Sequence, residues 1–249
     1  MGKRRRSKID TPAFLYGKNS VMERLRAEPG SIKRIYLENG FDASGMIEAI
    51  ESARIPVKRL SEKELYRIKR ADRIQGIIAE ADAFKYTPLE QFFKEPGRLS
   101  LICLDNLNDP HNLGSIIRIA ACFGGFGIVI PRHASCGVND TVIHVASGGE
   151  NFVPVSMAAN LPEAMRKAKK AGYWITGAVV EEGEDIDRVQ FPEPVCLVLG
   201  SEGKGIRHGV KKEIDLKVSL PMKGAALSFN VAMAAAIFCH EIAKLKKKR

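Results

Sequence analysis

No stretch of the chain approaches the roughly 18 consecutive apolar residues that a membrane-spanning helix needs. The basic N-terminus, MGKRRRSKID, is not followed by the apolar segment of a secretory signal. A cytoplasmic protein is expected. Cysteines are few and solitary: Cys103, Cys122, Cys136, Cys196 and Cys239 form no C-x-x-C pair, and their number is odd. This argues against a disulfide framework and a zinc site, so no metal is expected, and the thiols read as small buried hydrophobes in a reducing compartment. Phosphate-loop signatures are missing as well. GSEGKGIR carries its lysine before its last glycine and lacks a following Ser or Thr, and no G-x-G-x-x-G joins a strand to a helix. Nucleotide hydrolases and ordinary dinucleotide enzymes are thereby set aside. What remains is globular usage, 45% hydrophobic and 27% charged over 249 residues, enough to bury a core in one large or two smaller domains.

Acid is absent from both tips of this chain of net charge +10. Residues 3–8 hold Lys3, Arg4, Arg5, Arg6 and Lys8, and residues 244–249 hold Lys244, Lys246, Lys247, Lys248 and Arg249. Removing these ten from the 39 Lys and Arg leaves 29, equal to the 29 Asp and Glu, so residues 9–243 are formally neutral. Basic arms of this kind attract polyanions by counterion release, unless they are merely solvated ends. A second bias lies inside: Arg54, Lys58, Arg59, Lys63, Arg67, Lys69, Arg70 and Arg73 face only Glu62, Glu64 and Asp72. Aromatics make up 7% of the chain and Tyr66 is the only one in that run, so the pattern is a charged surface without an evident base-stacking platform.

Periodicity divides the chain. Residues 1–11 form a basic tail, 12–84 a small α/β unit, 85–98 a linker and 99–249 a larger α/β domain. The small unit is expected to hold an apolar-periodic segment at Tyr16–Leu25 and strands at Ile32–Glu38, Pro56–Leu60 and Gly76–Ala83. Helices are expected at Ala43–Ala53 and Ser61–Lys69, where Ser61 and Glu64 make a capping-box pattern. The linker, with Pro88, Pro96, Gly97 and Phe92–Phe93, accommodates at most one helical turn. From Leu99 onward, nearly continuous apolar runs at 99–105, 125–130, 173–180, 196–200 and 216–221 imply strands buried on both faces. Helices are expected at Gly114–Phe123, Leu161–Ala171 and Ser228–Lys244. The expected class is therefore α/β with a mainly parallel, doubly wound sheet, whose ligands sit beyond the carboxyl ends of the strands.

Three loops follow such strand ends. In DNLNDPHNLGSIIR (105–118), Asn112 and Gly114 are expected at the turn, Ser115 as a cap, and Arg118 one turn into the helix. LGSEGKGIR (199–207) carries glycines that allow positive φ and close ligand approach. LPMKGAALSFNVAMAAAI (220–237) places Ser228 and Asn230 at a helix start. Singly, each glycine loop reads as a tight turn; together, at successive strand ends, they outline one crevice.

These three stretches, in this order over about residues 104–240, resemble the motifs of SpoU/TrmH-type RNA ribose 2′-O-methyltransferases of the SPOUT superfamily. LYGKNSVMERL (15–25) and QGIIAEA (75–81) resemble the substrate-binding domain of bacterial members that methylate large-subunit ribosomal RNA. The resemblance implies S-adenosylmethionine as cofactor, a homodimer, and a C-terminal trefoil knot, an exception to the usual absence of threaded chains. It also implies a 23S ribosomal RNA substrate, guanosine favoured, with tRNA or a catalytically silent ribosome-assembly role as the alternatives. Arg118 matches the central catalytic arginine and Asn112 its neighbour, with Glu202, Ser228 and Asn230 also matching catalytic positions. Leu199, Gly200, Glu202, Gly203, Ile206, Leu220, Met222, Leu227, Ser228 and Asn230 match the cofactor pocket. His111, Arg67, Lys69, Arg70 and Arg73 are the candidate RNA contacts. Two departures stand out: in VASGGENFVPV, Asn151 occupies the position of a common family glutamate, with Glu150 one residue earlier, and Phe229 replaces a commoner Leu.

Methyl transfer to a hydroxyl requires alignment, proton removal and stabilisation of charge on oxygen. Arg118 suits the last of these and can clamp a phosphate bidentately. It is a poor general base because arginine scarcely deprotonates, which leaves the base unassigned. An ion pair with Asp105 or Asp109 is its structural alternative. Glu202 either touches the site or favours the following helix dipole. The Ala-rich run 231–237 reads as tight helix packing that also permits knot or dimer contacts.

Overall fold

The computed structural model describes residues 12–71, 73–201, 203–222, 224 and 227–246, with Lys246 described in its backbone only. The basic tail 1–11, Glu202 and Lys247–Arg249 lie outside the described residues.

The N-terminal unit runs β1 (Ala13–Tyr16), α1 (Lys18–Ala27), β2 (Ile32–Glu38), α2 (Ile47–Ser52), β3 (Val57–Leu60), α3 (Glu62–Ile68) and β4 (Ile77–Ala81). Its sheet has the order β1-β4-β2-β3, with β4 antiparallel to β1 and β2, and β2 parallel to β3. The capping box at Ser61 forms as expected, Glu64 N–H donating to Ser61 Oγ and Ser61 N–H to Glu64. α2 is shorter than the expected 43–53 helix. Asp42 accepts from Ser44 N–H and turns the chain, so the helix starts only at Ile47.

After a short 3-10 turn at Leu89–Phe93, whose Phe92 is buried, the larger domain follows. It runs β5 (Ser100–Asp105), α4 (Pro110–Phe123), β6 (Phe126–Pro131), α5 (Asp140–Ala146), β7 (Val155–Ala158), α6 (Leu161–Lys170), β8 (Trp174–Val179) and β9 (Glu184–Asp185). β10 (Val195–Gly200), α7 (His208–Lys211), β11 (Leu216–Ser219) and α8 (Val231–Lys246) complete it. The sheet order is β7-β6-β5-β10-β8-β11-β9 and every pairing is parallel. The unbroken apolar strands follow from two covered faces. Ile102, Leu104, Ile128, Ile130, Leu197 and Leu199 pack under α4, α5 and α8, while the alternate residues Leu101, Cys103, Val129, Cys196 and Val198 pack under α6 and α7. Cys103, Cys196 and Cys239 are buried free thiols, whereas Cys122 is exposed and Cys136 half-buried. The expectation of burial therefore fails for Cys122, which lies on the solvent side of α4.

The two units share a tight seam through α5. Ile143 is part of the N-terminal core. The His144 ring stacks on Tyr16 at 4.1 Å and its Nδ1 lies 2.9 Å from Tyr16 O. Asp140 accepts from Phe14 N–H at 3.2 Å and pairs with Lys69.

Candidate active site

Asp105, Gly200 and Ser219 end β5, β10 and β11, so the three glycine- and polar-rich loops leave the same edge of the parallel sheet. The first loop is shorter than the sequence pattern implies. Asp109 caps α4, accepting from His111 N–H at 2.8 Å, and Pro110 takes the first helical position. Asn112, Gly114 and Ser115 consequently lie inside the helix, and Arg118 sits two turns into it rather than one. At the third loop α8 begins at Val231, not Ser228, because Asn230 is the cap: its Oδ1 accepts from Ala232 and Met233 N–H at 2.9 and 3.4 Å.

Two polar links join the loops. Asn230 Nδ2 donates to Asn112 Oδ1 at 3.0 Å, tying the start of α8 to the first turn of α4. Asp105, fully buried at the tip of β5, accepts from Arg207 N–H at 2.7 Å, Nε at 2.8 Å and Nη2 at 2.6 Å. That carboxylate anchors the far end of the 200–207 loop. Inside the loop, Gly205 N–H donates to Ser201 O at 2.8 Å. A Cβ on Gly200 would stand 2.2 Å from the Gly205 carbonyl carbon, so only glycine fits where the loop folds back. Leu199 and Ile206 are buried, and Ser201 Oγ is buried without a hydrogen-bond partner among the described residues. Leu220 is half-buried, Gly203, Met222, Leu227 and Ser228 are exposed, and Glu202 lies outside the described residues.

The structure joins Asn112 to Asn230 and closes the 199–207 loop, but it sets Arg118 apart from both aspartates proposed as its partners. Asp105 is taken by Arg207 and Asp109 by the α4 cap. The exposed Arg118 guanidinium instead donates to Ser147 Oγ at 3.5 Å. Ser147 is the left-handed residue that ends α5. Beyond it, Glu150 has a fully buried side chain, 3.5 Å from Arg24 Nη2 of α1. Burial pushes the Glu150 carboxyl above its ordinary range, outweighing main-chain hydrogen bonds and the nearby Arg24 charge. Asn151 donates to Gly148 O at 2.9 Å and to Glu150 at 3.4 Å. Of the RNA-contact candidates, His111, Arg67, Arg70 and Arg73 are exposed, whereas Lys69 is turned into the seam against Asp140 and the Tyr16 ring. Sequence reasoning missed Ser147, Arg24 and the anchoring role of Asp105. Only Asp105 carried a signal, a lone acid at the end of an apolar strand.

Residues 100–240 match the SpoU rRNA Methylase family, and residues 14–87 match the RNA 2′-O ribose methyltransferase substrate-binding family. The 23S rRNA (guanosine-2′-O-)-methyltransferase RlmB of Ralstonia nicotianae is 34% identical over 233 residues, covering 92% of this chain and 94% of that protein. The enzyme of the same name from Nitrosomonas europaea is 33% identical over 243 residues, covering 95% and 93%. Among solved structures, the AdoMet-bound rRNA methyltransferase of Sinorhizobium meliloti superposes with a TM-score of 0.79 at 24% identity, covering 94% of this chain and 87% of that one. An RNA 2′-O ribose methyltransferase crystal structure gives 0.79 at 20% identity, covering 99% and 93%.

The fold is thus the knotted SPOUT α/β core preceded by a small substrate-binding domain, and the class is that of S-adenosylmethionine-dependent RNA 2′-O-methyltransferases. Within it, the chain belongs to the SpoU rRNA Methylase family. The loop chemistry fits the cofactor: main-chain amides held at a glycine-only turn, the unpartnered Ser201 hydroxyl, and apolar flanks from Ile206, Leu220 and Leu227. Among the described residues there is no group of three or more His, Cys, Asp or Glu able to hold a metal ion, and no helix long and apolar enough to cross a membrane.

Proposed function

We propose that the protein methylates a ribose 2′-hydroxyl of 23S ribosomal RNA, guanosine favoured, in the cytoplasm and as a homodimer. The observation that carries the reading is the pair of links Asn112–Asn230 and Asp105–Arg207, which bind three strand-end loops into one unit beside α4. The relatives named for 23S rRNA guanosine support the substrate, as does a substrate-binding unit that exposes Lys58 and Arg59 on β3, Lys63 and Arg67 on α3, and Arg70 just beyond it. On this reading the chain divides into tail (1–11), substrate-binding domain (12–84), linker (85–98) and methyltransferase domain (99–249).

S-adenosylmethionine, when bound, supplies a methyl group activated on sulfonium. The chain's own residues align and stabilise. Leu199, Gly200, Glu202, Gly203, Ile206, Leu220, Met222, Leu227, Ser228 and Asn230 would hold the cofactor, with Asn112 tied to Asn230 to fix the crevice wall. Arg118 clamps an RNA phosphate and stabilises charge growing on the 2′-oxygen, with His111 and the basic face of α3 contacting the RNA backbone.

Transfer of labelled methyl to 23S ribosomal RNA and to tRNA, followed by mapping of the modified ribose, tests this. A single ribose methyl at a guanosine of 23S RNA is the expected result. Labelling of tRNA alone makes the protein a tRNA enzyme, and tight RNA binding without transfer makes it a silent assembly factor.

A further inference from the structure

The four residues after α5 alternate between the two domains. Ser147 accepts from Arg118. Gly148, at φ +93°, lies against Glu23 of α1, so closely that a Cβ there would stand 2.3 Å from Glu23 Cβ. Gly149 packs on the backbone of α4 itself, where a Cβ would stand 3.1 Å from Arg118 Cα. Glu150 returns to α1 and meets Arg24. The turn therefore touches the proposed catalytic arginine twice and the substrate-binding domain twice within one stretch of chain.

The geometry points to the 147–150 turn as the mechanical link by which the substrate-binding domain sets the position of Arg118, with the buried Arg24–Glu150 pair as its fastening. Arg24 and Glu150 are then positioning residues that act through the turn. Removing Arg24 leaves a buried carboxylate without its counter-charge and frees α1 from the turn. The fastening is adjustable rather than rigid. The contact is 3.5 Å long, Arg24 Nε and Glu150 Oε2 have no hydrogen-bond partner among the described residues, and a cavity of about 250 Å³ borders the pair. Asp82, just past β4, and Lys85, at the start of the linker, line the same cavity. RNA that shifts the N-terminal domain would move Glu23 and Arg24, and the turn would carry that shift to α4.

The inference rests on the methyltransferase reading, and its test separates the two. Full-length Arg24→Met is compared with wild type in single-turnover transfer at saturating RNA and cofactor, in affinity for each, and in amide hydrogen exchange. Transfer should fall about tenfold to a hundredfold, as a displaced catalytic group allows, with both affinities held within about threefold. Exchange should speed up in 147–151 and in α4 near Arg118. Arg24→Lys should recover part of the rate, and it serves the same comparison if Arg24→Met does not fold. An unchanged rate, or faster exchange confined to α1, overturns the link. If wild type transfers no methyl to any RNA, the methyltransferase reading fails, while the exchange experiment still decides the coupling.

Discussion

Arg118 is the residue on which the proposed chemistry turns, and its surroundings bear on that role. It is exposed and permanently charged, and among the described residues it pairs with neither Asp105 nor Asp109 and donates only a weak bond to Ser147. Arg118→Ala should lower transfer on the order of 10²–10³-fold at saturating RNA and cofactor, with cofactor affinity little changed. Arg118→Lys should restore little, because a point charge lacks the bidentate fork. A near-normal rate for the alanine variant in single-turnover assays would remove Arg118 from the mechanism. Glu150 offers a different measurement. Its folded carboxyl titrates above the ordinary range, so between the ordinary and the raised value the native state binds more proton than the unfolded chain, and wild-type stability falls as pH rises through that window. Glu150→Gln cannot titrate. The Tm of the variant relative to wild type should therefore climb as pH rises from about 4.3 toward neutrality, and a flat difference means that folding does not raise the Glu150 carboxyl above its unfolded value. Asn112, Arg118 and Asn230 could be singled out as candidates in the sequence because their types and spacing matched a family pattern, and the structure joins the two asparagines. Arg24 and Ser147 were not, because they matter only through a contact between distant segments.

At the scale of elements, the apolar runs and caps located most strands and helices to within a few residues, the short β3, α3 and β11 included, but β1, α5, β7, β9 and α7 escaped. α5 is DTVIHVA, rich in β-branched side chains that disfavour an isolated helix. It is helical because Val142 and Ala146 pack into the main core while Ile143 enters the N-terminal core. β7 and β9, of four and two residues, carry too little pattern to be read. The closeness of α4 to α5 is itself testable. A Cβ on Gly114 would stand 2.7 Å from both Val142 O and Val145 Cβ, so the helix-propensity gain of Gly114→Ala, about 1 kcal/mol, competes with steric conflict against backbone. The clash should win, leaving the variant destabilised by about 1–3 kcal/mol in urea unfolding. A stabilised variant would mean that the two helices can separate freely.

For the whole molecule, the parallel class of the large sheet was readable from strands without polar alternation, but its order was not. Nothing local states that β10 inserts between β5 and β8, or that a chain threads itself; the knot entered through resemblance alone. Subunit association is similarly a property of surfaces. α8 presents Met233, 63% exposed, and Ile237 to solvent, next to Leu227, 73% exposed, and Phe229. Phe123 of α4 is also exposed and lies beside His240 of α8 at a ring separation of 5.9 Å. Isolated apolar residues at a surface need no explanation, but this group shares one helix and its edges, which marks a face for a partner. A second copy is the occupant that the proposed function requires, since a two-fold interface can be made by the same face of α8 from each protomer. Met233→Asp together with Ile237→Asp would set charges from both subunits into the centre of such an interface. The doubly substituted protein should sediment as a monomer while keeping a wild-type circular dichroism spectrum, because neither side chain belongs to the buried core. If it still sediments as a dimer, the subunits meet elsewhere and the apolar face of α8 belongs to another partner.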